Sequence, residues 1–315
     1  MSQELLGRWL PDGLRDQRYV EGMRRYLANT GYGQDDSESS AARVFKQAIK
    51  LMEEAKQHQP FALMVDCFDP HEPWSPPPEF VKPYSDPSYR GANPGTARYA
   101  RADSYLNDGE LRQMNAVYAG ALTMTDKWLG EFLGRFRELE LHQNTAVILL
   151  SDHGILLGDR GWTGKVAGQL HPELMQVPCI IVHPEHKRAG STSSYFASTQ
   201  DVAPTLMSMA GINPPKGMDG IDLSPLFESQ DLPQRPFANG GYFNHFYLRS
   251  DQWAYVADNR GIERELYDLT LDPGELTNVA RDNRDTQQEL HARALESMGG
   301  LPPHYEGEAV APIRR

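Results

Sequence analysis

The chain has 315 residues, with 31 Lys and Arg against 43 Asp and Glu, for a formal charge of −12. A 39% hydrophobic content with 11 Phe, 14 Tyr and 5 Trp excludes a wholly disordered chain. The acidic balance argues against a nucleic-acid-binding surface, which needs basic clusters to replace counterions.

Two cysteines, Cys67 and Cys179, are too few for a disulfide framework and read as buried structural thiols beside apolar runs. No apolar stretch reaches the roughly 18–20 residues of a membrane span. The opening Met1-Ser2-Gln3-Glu4, followed by Arg8, Asp12, Arg15 and Asp16, does not read as a signal peptide. As written, the chain is expected to be cytoplasmic, with neither nucleic acid nor membrane as a partner.

In chain order, the polar run Ser37 to Ser40 caps a predicted helix reaching about Gln57. Its apolar face carries Val44, Phe45, Ala48, Ile49, Met52 and Ala55. Pro60 to Val65 is short and nearly all apolar, which predicts a strand buried on both faces of a parallel sheet and ending at Asp66. Residues 70–107, rich in Pro, Gly, Ser and Tyr, form a loop far beyond the usual connection of about 4–6 residues. A long helical pattern follows from about Asp108 to Glu140, with Gly120, Gly130 and Gly134 as weak points.

Two further apolar runs, Thr145–Leu150 and Val177–Val182, predict strands, and a helix is expected from Ser198 or Thr199 to Ala210, stopped by Gly211. Alternating strands and helices predict an α/β sheet with helices on both faces. From Gly241 the texture changes. Tyr242–Leu248 and Trp253–Val256, joined by Arg249–Gln252, predict an antiparallel hairpin. Leu266–Leu269 adds a strand and residues 283–299 a terminal helix, together a small α+β subdomain. The expected organisation is an N-terminal segment (1–38), an α/β domain (39–236) containing the loop 70–107, and the subdomain (237–315).

Ligand sites in open α/β sheets form at the carboxyl ends of strands. There the first run delivers Asp66, Asp69 and His71, and the second delivers Ser151-Asp152-His153-Gly154. An adjacent carboxylate and imidazole on a strand-end turn suit one divalent cation without choosing which. The glycine-rich segment Gly158 to Gly164 brings Lys165 back toward the strand end as a fixed positive charge. His171 and His245 lie near these elements without an assigned role.

Taken together, these motifs resemble the sulfatase family of the alkaline-phosphatase-like superfamily. Asp66 to Trp74 is similar to the family's D-x-x-D-P-H-x-P-W/F segment. Phe196 to Leu206 is similar to its D-i-x-P-T-l helix, Gly220 to Leu226 to its G-x-x-L-x-P-L, and Glu265 to Asn278 to its E-L-Y-D-L-x-x-D-P-x-E-x-x-N. The resemblance implies an alkaline-phosphatase-like fold with a mixed, mostly parallel sheet flanked by helices. It also implies hydrolysis of sulfuric esters, carried by small molecules or glycans. Asp152 would be a metal ligand and His153 a second one. Lys165 would pair with a sulfate oxygen, and His71 would bond the sulfate or protonate the leaving alcohol. One divalent metal is implied, with calcium leading and magnesium or manganese as alternatives.

The resemblance also exposes a gap. The family's two adjacent strand-end carboxylates and its C-x-P-x-R or S-x-P-x-R, whose first residue becomes formylglycine, have no counterpart. Neither Cys67 nor Cys179 fits, Ser75-Pro76-Pro77-Pro78-Glu79 ends in Glu, and Asp35-Asp36 follows Gly33-Gln34 rather than an apolar strand. No nucleophile is therefore assigned. The family's N-terminal strands are expected to be missing, which would expose apolar sheet edge and helix-packing surface. A separate N-terminal chain or a second copy is a candidate partner. The alternatives are a phosphonate or phosphate ester hydrolase of the same superfamily, a non-catalytic binding protein, or one half of a split enzyme.

Overall fold

The computed structural model describes residues 3–30, 35–228, 232–233, 235–302 and 304–305. Met1-Ser2, Gly33-Gln34 and the tail 306–315 lie outside the described residues. The chain forms two compact units, one of residues 1–143 and 156–164, the other of residues 144–155 and 165–315. The helices are α1 (Gln3–Trp9), α2 (Gln17–Asn29), α3 (Ser40–Ala55), α4 (Pro78–Val81), α5 (Asp108–Glu138), α6 (Pro172–Met175), α7 (Val202–Met209) and α8 (Arg284–Ser297). The strands are β1 (Ala100–Arg101), β2 (Val147–Leu150), β3 (Leu156–Leu157), β4 (Trp162–Gly164), β5 (Cys179–Val182), β6 (Ala238–Tyr242), β7 (His245–Arg249), β8 (Trp253–Asp258) and β9 (Arg264–Asp268). No helix among the described residues is long and apolar enough to cross a membrane.

In the first unit, α3 starts where Ser39 Oγ accepts from Ala42 N at 3.1 Å, the side-chain cap that a polar run before an apolar face predicts. Its buried face is Ala41, Ala42, Phe45, Ala48 and Met52. Phe45 meets Phe132 of α5 with ring centroids 6.0 Å apart. α5 runs unbroken for 31 residues despite its three glycines. A reciprocal cap opens it: Asn107 Oδ1 accepts from Glu110 N at 3.0 Å, and Glu110 Oε2 accepts from Asn107 N at 2.9 Å. Gly120 has a packing reason, since a Cβ there would lie 3.0 Å from the Phe80 carbonyl. α1 and α2, which the sequence reading does not predict, bury Trp9, Met23 and Leu27 to 1% exposure or less.

The expected strand Pro60–Val65 forms no β-ladder among the described residues. Its exposure nevertheless alternates with period two from Phe61 to Phe68, with Met64 89% and Phe68 65% exposed. A strand is defined by its ladder, and this segment has the side-chain pattern without a described partner. The unit's only described ladder is the small antiparallel sheet β1-β4-β3.

In the second unit, β2 and β5 pair antiparallel from Val147 opposite Val182 to Leu150 opposite Cys179. The sequence reading places these runs in a mostly parallel sheet, but no parallel ladder forms among the described residues. Cys179 is exposed, not buried as its apolar setting suggests, and Cys67 is half-buried. The C-terminal sheet is antiparallel in the order β6-β7-β8-β9, and the predicted hairpin appears as β7 and β8. Tyr242–Asn244 does not continue β7: the chain turns at Phe243, whose φ is +56°, and Tyr242 ends the unpredicted strand β6. Asn239, Gly240 and Gly241 hide that strand from propensity. Gly240 is required there, because a Cβ would meet the Tyr247 ring at 2.9 Å. α8 covers the sheet, packing Leu290 and Ala294 onto Phe246, Leu248, Tyr255 and Leu266.

Candidate functional site

β2 delivers Asp152 and His153 just past its carboxyl end, in the second unit. Asp152 Oδ1 accepts from His153 N at 2.9 Å, and its Oδ2 lies 3.7 Å from His153 Nε2. His153 Nδ1 lies 2.8 Å from the Gly154 carbonyl oxygen. That contact assigns the proton of the neutral ring to Nδ1 and makes Nε2 its lone-pair atom. Ser151 Oγ donates to the His153 carbonyl at 2.9 Å, and Gly154 N donates to Leu174 O at 2.8 Å. A Cβ on Gly154 would stand 2.1 Å from the Glu173 carbonyl oxygen. Only glycine lets the strand end dock this closely, so the third letter of Asp-His-Gly has a physical reason.

Donor chemistry decides whether a divalent cation fits here. The Asp152 side chain is 86% exposed and offers a hard oxygen, while His153 offers a borderline nitrogen held in the ligating tautomer. Two donors are part of a coordination sphere. No cluster of three or more His, Cys, Asp or Glu forms among the described residues.

Lys165 follows β4 and three glycines in left-handed backbone, Gly158, Gly161 and Gly164, with φ of +109°, +77° and +79°. Gly164 is required by space as well, since a Cβ would meet the Tyr99 ring at 2.3 Å. Lys165 opens the segment of the second unit that leads to His171 and α6, and its side chain is half-buried.

His71 lies in the first unit and is described there. Its Nδ1 is 2.6 Å from the Glu72 carbonyl oxygen and 3.4 Å from Glu72 Oε2. Its ring stacks on Phe68 at 4.3 Å. Glu72 is 9% exposed and also accepts from Tyr99 OH at 2.7 Å. Sequence alone gives this buried carboxylate no role; it lies beside the His71 ring, whose Nδ1 is held by the Glu72 backbone carbonyl. Asp69 turns inward: its Oδ2 accepts from Ala41 N at 2.6 Å, at the start of α3. Burial raises its pKa, outweighing that bond. Trp74 is fully buried and donates Nε1–H to the Pro70 carbonyl at 2.7 Å.

The remaining candidates have structural roles. Asp35 accepts from Ser37 N at 2.8 Å, and Asp36 Oδ2 accepts from Lys127 Nζ at 2.6 Å. The acidic pair therefore shapes a turn. His171 is 2% exposed, with Nδ1 2.9 Å from Glu275 Oε2 and Nε2 3.2 Å from Glu265 Oε2. Arg249 also contacts Glu275. Burial pushes the Cys67 thiol up to about 11 and also raises that of Cys179, so neither is a thiolate near neutral pH.

The family model for sulfatases matches residues 10–212, and the model for the C-terminal part of N-sulphoglucosamine sulphohydrolase matches residues 158–298. An arylsulfatase of Clostridium perfringens is 27% identical over 258 residues, covering 75% of this chain and 52% of that protein. An ulvan-active sulfatase of Formosa agariphila is 28% identical over 338 residues, covering 95% and 64%. Arylsulfatase K of Bos taurus is 32% identical over 190 residues, covering 56% and 35%. The chain thus spans between about a third and two thirds of these relatives' lengths. A solved structure in complex with its substrate D-glucosamine-2-N,6-O-disulfate gives a TM-score of 0.69 at 19% identity, covering 82% of this chain and 70% of that one. The phosphonate monoester hydrolase of Agrobacterium radiobacter gives 0.69 at 21% identity, covering 92% and 70%. These likenesses establish the alkaline-phosphatase-like α/β fold, and by the family match over residues 10–212 this chain belongs to the sulfatase family.

Proposed function

We propose that this chain carries part of a site for metal-dependent hydrolysis of sulfuric esters. The observation that carries the reading is the Asp152–His153 pair, clamped on Gly154 at the carboxyl end of β2 in a chain of the sulfatase family. Asp152 and His153 Nε2 would hold one divalent cation, calcium before magnesium or manganese. A bound cation there would draw charge from the ester's non-bridging oxygens. Lys165 pairs with a sulfate oxygen, spreading the charge that grows as the S–O bond breaks. By the family resemblance, His71 is the residue that would bond the sulfate or protonate the leaving alcohol.

The chain's own residues supply no nucleophile. Cys67 and Cys179 lack the C-x-P-x-R context, and burial raises both thiol pKa values. The relatives' names, an arylsulfatase, an ulvan-active sulfatase and an N-acetylglucosamine-6-O-sulfatase of Bacteroides thetaiotaomicron, favour a sulfated small molecule or glycan as the ester. A phosphonate or phosphate monoester is the second reading, because lysine and histidine side chains bond any tetrahedral anion alike.

Calcium titrated calorimetrically into the chain is expected to give one site that Asp152→Ala abolishes. Calcium binding undisturbed by that substitution would sink the metal assignment. The chain by itself is expected to leave 4-nitrophenyl sulfate intact with calcium, magnesium or manganese. Turnover that needs metal and disappears in Asp152→Ala would overturn the assignment of no nucleophile.

A further inference from the structure

A cavity of about 330 Å³ opens in the first unit, between the end of α4 and the start of α5. That volume lies at the lower end of the range for small-molecule sites. Its walls include Tyr84, Asp86, Tyr89, Gly109, Arg112 and Gln113, none of which the reading above assigns. Both rings are tethered by their hydroxyls. Thr123 Oγ1 donates to the Ala119 carbonyl at 2.8 Å, so the 2.7 Å contact with Tyr84 has the phenol as donor. Tyr89 OH donates to the Ala92 carbonyl at 2.8 Å. Gln113 is 5% exposed, and its Nε2 is committed to Asn93 Oδ1 at 2.7 Å and Ser85 Oγ at 3.0 Å. That leaves its Oε1 as the remaining acceptor. Asp86 Oδ1 accepts from Ser88 N at 2.8 Å and Ser88 Oγ at 2.7 Å.

Arg112 makes no hydrogen bond or ion pair with the described residues. In a chain of net charge −12, it places a positive charge at this cavity, where the Ser88 hydrogen bonds first, and then the Arg112 charge, hold the Asp86 carboxyl below its usual range. The planar fork of Arg112 suits a tetrahedral or carboxylate anion. The cavity thus combines two fixed aromatic faces, a cation with no hydrogen bond or ion pair among the described residues, and acceptors with spare capacity. An apolar ligand would leave the polar groups unpaired, and an inorganic anion would leave the rings unused. A pyranose offers a C–H face for a ring, hydroxyl donors for Asp86 and Gln113, and, when sulfated, an anion for Arg112.

We propose that this cavity is a binding subsite for an anionic pyranose unit such as a sulfated sugar, gripped by Arg112 and the Tyr84 and Tyr89 rings. The sulfate-ester reading above makes such a ligand relevant, but binding at the cavity is independent of turnover. The test is calorimetry, with chemical-shift mapping of the Tyr84, Tyr89 and Gly109 amides, using glucose 6-sulfate, glucose and inorganic sulfate. Glucose 6-sulfate is expected to shift these amides and to bind at least ~10-fold more tightly than either fragment, a charge-assisted contact being worth about that factor. Arg112→Ala and Tyr84→Ala, both at exposed positions, should each weaken binding by roughly 10-fold with the melting temperature held. Asp152→Ala should leave this binding intact. Amides unmoved by glucose 6-sulfate would overturn the proposal, as would equal shifts from inorganic sulfate alone. Binding lost in Asp152→Ala would relocate the sugar to the candidate metal site. Calcium binding that persists without sugar binding at the cavity would sink this inference and leave the functional reading standing.

Discussion

Two β layers of the second unit are built from the same residue types and have opposite surroundings. In β6–β9, Phe246, Leu248, Tyr255 and Leu266 are at most 1% exposed, because α8 lies over them. In β2 and β5, Leu149 is 41%, Leu150 37%, Ile180 54% and Val182 40% exposed. The β2 and β5 runs do not alternate, which is the pattern of strands covered on both faces. Removing one such side chain fully from water is worth roughly 1.5–3 kcal/mol. The covered sheet has gained that term, whereas β2 and β5 retain much of their apolar area in solvent. Strand-forming sequence and strand-covering context are therefore separate requirements, and this unit meets both only in its C-terminal layer.

Like-for-like truncation breaks or confirms this contrast with the largest effect. Leu248→Ala in β7 empties a fully buried site and should cost about 2–5 kcal/mol. Leu149→Ala in β2 should stay below about 1 kcal/mol, because the side chain already meets water. Urea unfolding of both variants reads the difference. A Leu149→Ala cost equal to that of Leu248→Ala would mean that β2 is covered in solution.

The second test concerns how the covered sheet closes. Asp258, at the end of β8, accepts from Ile262 N and from Glu263 N at 3.1 Å, while its own N–H donates to the Glu263 carbonyl at 3.1 Å. Burial opposes its charge, but those two N–H donors and Arg260 prevail and hold the carboxyl below its usual range. A depressed carboxyl contributes stability above its unfolded pKa of about 3.9, and that contribution is lost as pH falls through the lower folded value. Asp258→Ala should cost about 1–3 kcal/mol at pH 7 and flatten the acid limb of the stability curve. An acid limb unchanged in the variant would remove Asp258 from the account.

How much of this was legible follows from which interactions are local. The α3 face, the Ser39 cap, the stop at Gly211 and α8 are set by residues within a few positions of one another, so periodicity and capping chemistry find them. The turn after β2 was legible as the end of a strand, but the reason for Gly154 lies in Glu173 and Leu174. The roles of Asp69 and His171 depend on Ala41 and on Glu265 and Glu275, far along the chain, and residue type alone does not choose among such partners. Pro60–Val65 reads as a strand from its composition, while its ladder depends on a neighbour that composition cannot supply. β6 fails in the reverse sense: two glycines conceal a strand that the Tyr247 ring and the β7 ladder impose.

The smallest expected effect lies on the same covered layer and begins nearer neutral pH. His291 of α8 stands with Nδ1 3.1 Å from Tyr255 OH and its ring 5.4 Å from that of Phe246. Burial first, and then the Arg264 charge, lower its pKa. The groups facing it differ in sign, since the Asp258 charge works the other way. A histidine with a depressed folded pKa stabilises above its unfolded value of about 6.5 and loses that contribution as pH falls through the folded one. The C-terminal sheet should therefore begin to weaken below about pH 6.5, before its carboxylates titrate, and His291→Gln should remove that early limb while leaving the later one in place. Amide exchange on β7 and β8 between pH 7 and pH 5, corrected for the intrinsic rate, separates the two limbs. An early limb that survives in His291→Gln would place the sensitivity in another group.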